Sequence, residues 1–230
     1  LLLEADEADV EALDTLARLR QEQGRHADVA ELLARRARLT DDPVQAAALR
    51  RRVAELYVGP IGDTDRAVLA YRDVLDFDPN DLAARAALEG IYERAQRWKD
   101  LEDALRSRLD VSVTAEERAE TRLRLASLAE TRFHSRRDAV EYLREVLDEL
   151  PTHAAAGREL ERLYTQEQRW NDLSDLLERR VEDYVAAGDA AGELSTLVRI
   201  GELHERELRQ PSRAIELYER VLDRDPNHAG

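Results

Sequence analysis

The sequence predicts an all-α solenoid of about six helix hairpins, and three observations carry that prediction. The segment Arg97-Trp98-Lys99-Asp100-Leu101 returns seventy-two residues later as Arg169-Trp170-Asn171-Asp172-Leu173, and seventy-two residues earlier its slots hold Arg25-His26-Ala27-Asp28-Val29. A fixed period of this length marks supersecondary units that bury their apolar faces against their neighbours. Within each copy apolar residues recur at i, i+3 and i+4, the spacing of one buried helical stripe. The composition agrees, since 43% hydrophobic and 37% charged residues with only 9 Gly and 6 Pro among 230 positions favour helix over strand.

Each copy divides into two hairpins. In the first hairpins Leu16, Leu88 and Leu160 match, then Leu19, Ile91 and Leu163, then Val29, Leu101 and Leu173, then Leu33, Leu105 and Leu177. In the second hairpins the matches are Val53, Leu125 and Ile200, then Leu56, Leu128 and Leu203, then Ala67, Ala139 and Ala214, then Val74, Val146 and Val221. All are assigned to the core. The last copy contains a three-residue insertion near Ala186-Ala187-Gly188-Asp189, and the second hairpins hold one extra residue in the turn before the matched Ala.

Punctuation sets about twelve helices in chain order. Gly24 parts the first two, and Pro43 and Pro211 stand where a first-turn proline is tolerated. Gly59-Pro60-Ile61-Gly62 lacks the spacing and lysine of a phosphate-binding loop and is read as a turn. Thr114 and Glu117 have capping-box spacing, Ser135 places Asp138 in a first turn, and Gly188 falls between periodic segments.

These residues carry a family resemblance. Leu197, Ile200, Gly201, His204, Ala214, Tyr218 and Pro226 follow the tetratricopeptide pattern, and its Ala-to-Pro distance of twelve recurs in Ala67 to Pro79 and Ala139 to Pro151. The chain resembles the tetratricopeptide repeat family over its whole length. The first hairpins depart from the pattern, because Leu101 and Leu173 replace the small Ala and no proline follows twelve later. The resemblance implies antiparallel helix pairs in a right-handed superhelix whose first helices line a concave groove. It also implies a non-catalytic module or scaffold that binds a protein or extended peptide in that groove.

A single repeat domain is expected over 1–230, in approximate two-hairpin units 7–78, 79–150 and 151–225. Leu1-Leu2-Leu3-Glu4-Ala5-Asp6 matches the end of a second helix, Asp225-Pro226-Asn227 matches Asp78-Pro79-Asn80, and no initiator Met is present. The stretch therefore reads as an excerpt of a longer array, with a secretion signal not assessable from its start.

A formal charge of −15 argues against nucleic acid and anionic membranes as partners, since both require clustered positive charge, although a local basic stripe stays compatible with it. No apolar run is long enough to cross a bilayer, so no membrane insertion is expected and the chain is read as soluble, with the cytoplasm favoured. Cys and Met are absent, which removes disulfides and thiolate chemistry. Lys99 is the only lysine among 35 basic residues, an arginine bias that suggests GC-rich, bacterial coding.

The residues that could carry chemistry are few. His26 and His204 lie at repeat-core slots and His134, His153 and His228 near turns, with no H-x-x-x-H pair, so neither a metal nor a cofactor is expected. Fifty acids make chance carboxylate pairs inevitable, so no catalytic residue is assigned and the chain is read as not an enzyme. Trp98 and Trp170 share a slot with His26 and are read as sealing hairpin turns, and Asp28, Asp100 and Asp172 as first-turn acids.

The resemblance maps the groove face onto Arg52, Arg124 and Arg199 in the second hairpins. In the first hairpins it maps onto Ala83, Ala86, Ala87 and Gly90, flanked by Arg18, Arg158 and Arg162. Two readings of the arginines stand side by side. They grip carboxylates or carbonyls of an extended acidic peptide, or they pair within their helices, since Glu55 and Glu202 lie three residues after Arg52 and Arg199. The alanines admit a close partner backbone, and plain helix propensity explains them as well. The family's Lys-and-Asn clamp for a chaperone's acidic C-terminus is not visible, because Asn80, Asn171 and Asn227 fall at turns. Two alternatives remain in view: self-association by stacking of repeat ends into a filament, and an accessory arm of an enzyme whose catalytic domain lies outside this chain.

Overall fold

The sequence punctuation becomes helix ends in a computed structural model that describes residues 10–226. Leu1-Leu2-Leu3, Asn227 and His228 lie outside the described residues. The first six helices are α1 (Val10–Glu22), α2 (His26–Arg38), α3 (Pro43–Leu56), α4 (Thr64–Phe77), α5 (Leu82–Arg94) and α6 (Trp98–Val111). The next six are α7 (Ala115–Thr131), α8 (Arg136–Glu149), α9 (Ala154–Gln166), α10 (Trp170–Ala187), α11 (Ala190–Arg206) and α12 (Pro211–Arg224). No strand occurs among the described residues. The helices divide into two compact units, α1–α6 and α7–α12, and inside each unit every helix packs on the next one in sequence. That nearest-neighbour packing is the mark of a helical solenoid.

Side chains cap most of these helices. Asp42, Asp63, Asp81 and Asp189 accept from backbone N–H groups in the first turns of α3, α4, α5 and α11. Thr114 and Glu117 form the reciprocal capping box of α7, at 3.1 and 3.2 Å. His153 is also a cap, its Nδ1 accepting from the Ala156 N–H at 3.2 Å. Each such bond satisfies an orphan donor and contributes about 1 kcal/mol.

The hairpin turns are of two kinds, and they alternate. First hairpins close with a bond from residue i to the carbonyl five back: Arg25 to Arg20, Arg97 to Tyr92 and Arg169 to Tyr164, at 3.0, 2.8 and 2.9 Å. Second hairpins close to the carbonyl six back: Asp63 to Tyr57, Ser135 to Ala129 and Gln210 to His204, at 3.0, 2.9 and 2.8 Å. The extra residue seen in the sequence is this wider closure. Both kinds need one left-handed residue, supplied by Gly24 and Gly62 and by Gln96, His134, Gln168 and Arg209, which adopt positive φ without being glycine.

Three readings are corrected, and the insertion is located. Gly59-Pro60-Ile61-Gly62 is not a simple turn, because residues Tyr57–Ile61 continue α3 as a π-helical turn that Gly62 ends in left-handed geometry. Pro60 supplies no N–H for the α-helical ladder, and the Gly62 N–H bonds the Tyr57 carbonyl five residues back instead. Asn171 lies in the first turn of α10 rather than in a loop. The three-residue insertion lengthens α10, which has 18 residues where α6 has 14, so it is absorbed as helix. Leu19 is 39% exposed whereas its counterparts Ile91 and Leu163 are buried. α5 and α9 each pack on a preceding helix, and among the described residues none precedes α1.

Core placement otherwise follows the period. Val53, Leu125, Ile200, Leu56, Leu128, Leu203, Ala67, Ala139, Ala214, Val74, Val146 and Val221 are all buried. In α7–α12 one continuous apolar cluster runs through all six helices, from Ala119 and Ala126 to Leu217 and Val221. In α1–α6, Leu13, Ala17 and Leu32 form one cluster and Val29, Ala30, Val53 and Leu56 another.

Candidate functional site

The recurring Arg-Trp-x-Asp-Leu segment builds a turn clamp. Arg97 sits 5.2 Å from the Tyr92 ring centroid and bonds Asp100 at 2.9 Å, and Arg169 sits 4.8 Å from the Tyr164 ring and bonds Asp172 at 2.9 Å. In the first copy Arg25 pairs with Asp28, and Arg20, in the tyrosine slot, reaches the same carboxylate at 3.5 Å. The aspartates therefore tie arginine to the turn as well as facing a helix N-terminus. Trp98 and Trp170 are half-buried first residues of α6 and α10, and Trp170 packs on the core. This agrees with their reading as turn seals.

The groove arginines meet different fates. Arg52 bonds Glu55 at 3.2 Å on its own helix and stays 54% exposed. Arg199 does not take the Glu202 that its spacing offers; it reaches across to Glu161 of α9, which also accepts from Arg180 of α10 at 2.9 Å, while Glu202 pairs with Arg206. Glu161 is half-buried, so its charge is better met by a cation than that of Glu202, which is more solvated. Arg18 pairs with Glu22, Arg162 forms a two-point bond with Glu130 and also holds Glu159, and Arg158 is exposed with no ion pair among the described residues. Arg124 is half-buried on α7. Ala83 and Ala86 are exposed, Ala87 and Gly90 half-buried, and no atom lies within 4 Å of the point where a Gly90 Cβ would stand.

Burial pushes the Glu161 carboxyl up, but hydrogen bonds from Arg199 and Arg180 outweigh it and hold the group below its ordinary value of 4.5. A carboxyl depressed on folding stabilises the fold above that ordinary value, and the contribution fades as pH falls through the folded one. Glu161→Gln is expected to lower stability by about 1 kcal/mol at pH 7, the partly exposed guanidiniums limiting the effect. The gap from wild type should shrink below pH 4.5, which urea melts along a pH series would reveal. A gap independent of pH would remove the ion-pair account.

Ser174, His204 and Gln210 form a hydrogen-bonded chain. Gln210 Oε1 accepts, so His204 Nδ1 carries the proton at 3.0 Å, and Nε2 takes the Ser174 hydroxyl at 3.1 Å. The order of groups resembles nucleophile, base and orienter, yet Ser174 and His204 are only 5% and 7% exposed. It is a satisfied core network.

A cleft of about 840 Å³ opens in the α7–α12 unit, lined by Glu130, His134, Arg136, Arg137, Arg162 and Glu167 with Thr131 and Ser135. A second space of about 320 Å³, lined by Leu123, Ser127, Leu143 and Leu163, shares Glu130 and Arg162 with it. The sequence reading placed only Arg162 here. The missed signal is Arg136-Arg137 directly after the Ser135 cap, two cations at the positive end of a helix.

No group of three or more metal-ligating side chains is found among the described residues. No described helix is long and apolar enough to cross a membrane.

Residues 196–230 match the family described as tetratricopeptide repeat. The α11–α12 hairpin in that stretch is of the tetratricopeptide type. Within that matched stretch the tetratricopeptide glycine, Gly201, faces the Tyr218 ring so closely that a Cβ would stand 2.5 Å from its Cε1. Among curated proteins none matches the chain. Among solved structures, MamA protein shares 18% identity and a TM-score of 0.42 over 78% of this chain and 92% of its own. A tetratricopeptide repeat protein from Parabacteroides merdae shares 13% identity and a TM-score of 0.44 over 95% and 94%. The Naa15/Naa10 complex bound to HypK-THB shares 15% identity and a TM-score of 0.54 over 99% of this chain and 33% of that one, a likeness of fold.

Proposed function

We propose that this chain is a non-catalytic interaction scaffold that binds a protein or extended peptide along the first helices of its tetratricopeptide hairpins. The observation that carries the reading is the arginine placed at the same slot in every second hairpin. Arg52 and Arg199 are each held by a glutamate, yet 54% and 49% of their side-chain surface stays exposed. A guanidinium fixed in this way keeps donors for a second carboxylate or a backbone carbonyl, and its ordering cost is met before the ligand arrives. In α1–α6 the open face of Ala83, Ala87 and Gly90 leaves room for a peptide backbone, with Arg18 and Arg52 as its cations. In α7–α12 the face is formed by Arg124, Arg158, Arg162 and Arg199.

Peptides selected from a random displayed library on the wild-type chain test this reading. They are expected to be lost by a variant with Arg52, Arg124 and Arg199 all changed to Ala, with helicity kept and melting lowered only modestly, because Arg180 still meets Glu161 when Arg199 is removed. Retention of the same peptides by that variant would overturn the groove assignment.

A second reading, end-to-end association, rests on α12. Ile215 is 56% exposed where the matched residues of α4 and α8, Val68 and Val140, are 3% and 0% exposed. Light scattering behind size exclusion over a wide concentration range separates the two: a constant mass near 26.3 kDa supports the groove scaffold alone.

A further inference from the structure

The corner where α7 turns into α8 departs from its two counterparts in charge. Its residues are Arg132-Phe133-His134-Ser135-Arg136-Arg137, three arginines and a histidine without an acid. The matched slots read Pro60-Ile61-Gly62-Asp63-Thr64-Asp65 and Glu207-Leu208-Arg209-Gln210-Pro211-Ser212. The fold does not require this charge, because the corner closes with the same bond to the carbonyl six back in all three copies.

No ion pair within the described α7–α12 unit accounts for Arg136 or Arg137, although the hydrogen bond from Arg162 and, after it, the charge of Arg136 help to hold the Glu130 carboxyl below its ordinary value. Arg136 and Arg137 are exposed first-turn residues of α8, where the helix dipole disfavours cations, and neither makes an ion pair among the described residues. The first-turn N–H of Asp138 is already capped by Ser135 Oγ at 3.3 Å. A local rule broken with no ion pair in return is the pattern of a working surface.

The cleft beside them has an electrostatic pattern of its own. Of its two acids, Glu130 is neutralised by the two-point bond from Arg162, at 3.0 and 2.5 Å. Glu167 remains on the rim. His134, Arg136 and Arg137 therefore face the space with a surplus of positive charge, and Phe133 lies 39% exposed next to them in sequence.

We propose that this corner is a docking site for a short acidic segment of a partner protein, distinct from the ladder of Arg52, Arg124 and Arg199 and meeting the first-helix face only at Arg162. The two guanidiniums take side-chain carboxylates of the segment, for which the planar fork is suited. Glu167 accepts a peptide N–H and repels a continuous phosphate backbone, and the net charge of −15 repels long polyanions further. The volume of about 840 Å³ lies within the range of ligand clefts.

Fluorescence anisotropy of the full 230-residue chain tests the site. The probes are a labelled dodecapeptide of alternating Glu/Asp and Ala, its Gln/Asn counterpart, and a single-stranded oligonucleotide of equal length. The acidic peptide is expected to bind and to weaken as salt rises. R136A/R137A should weaken it at least about tenfold. R179A/R220A, which removes the same charge from two other exposed arginines, should leave it unchanged, as should the triple change at Arg52, Arg124 and Arg199. No binding of the acidic peptide at millimolar concentration, equal binding of the neutral peptide, tighter binding of the oligonucleotide, or equal loss in R179A/R220A would each overturn the proposal. Loss only in the groove variant would overturn it while supporting the groove reading.

Discussion

Leu163→Ala is expected to destabilise the α7–α12 unit by about 2–5 kcal/mol, the range for truncating a buried leucine whose surroundings relax only in part. Leu163 is 1% exposed and sits in the cluster that links α7, α8, α9 and α10 through Ala126, Leu143, Leu160, Leu173 and Leu177. Leu19→Ala is the matched control. It changes the same residue type at the same slot of the period, but on the uncovered side of α1, and should cost under about 1 kcal/mol. Urea denaturation of the two variants measures the difference, and amide exchange should show faster opening in α7–α12 for Leu163→Ala alone. Equal costs would mean that the slot, and not the covering helix, sets the energy.

His204→Ala is expected to cost about 2–4 kcal/mol, because it opens a cavity between α10, α11 and α12 and leaves the buried Ser174 hydroxyl without its partner. Ser174→Ala removes the small partner and the polar group together with less volume, so it should cost only about 1 kcal/mol. Thermal melts followed by circular dichroism compare them. If the two substitutions cost the same, the ring contributes through its hydrogen bond and not through its volume.

The period, the core and the caps were legible because each depends on residues near one another in sequence. Ala67, Ala139 and Ala214 are buried wherever the spacing put them, and Thr114 with Glu117 forms the capping box that four residues alone define. Arg199 shows where such reasoning stops. Its spacing offered Glu202, but the bond it makes spans thirty-eight residues to Glu161 and depends on how α9, α10 and α11 pack. The same limit hid the cleft, whose lining joins the end of α7, the start of α8 and the end of α9. Pro60 is a middle case: the missing donor was visible, while the choice of a widened helical turn over a loop was not.

The two alternating turn closures make the pair of hairpins, not the single hairpin, the module in which such a chain can be lengthened or shortened. Removing about seventy-two residues brings like positions together and leaves the five-back and six-back closures in alternation. Removing one hairpin sets two closures of the same kind in succession, so that a helix built to follow a wide corner follows a narrow one and its apolar stripe is turned away from the surface it matches. An engineered array based on this chain is therefore cut and joined in even numbers of hairpins, with Arg25, Arg97 or Arg169 as equivalent splice points.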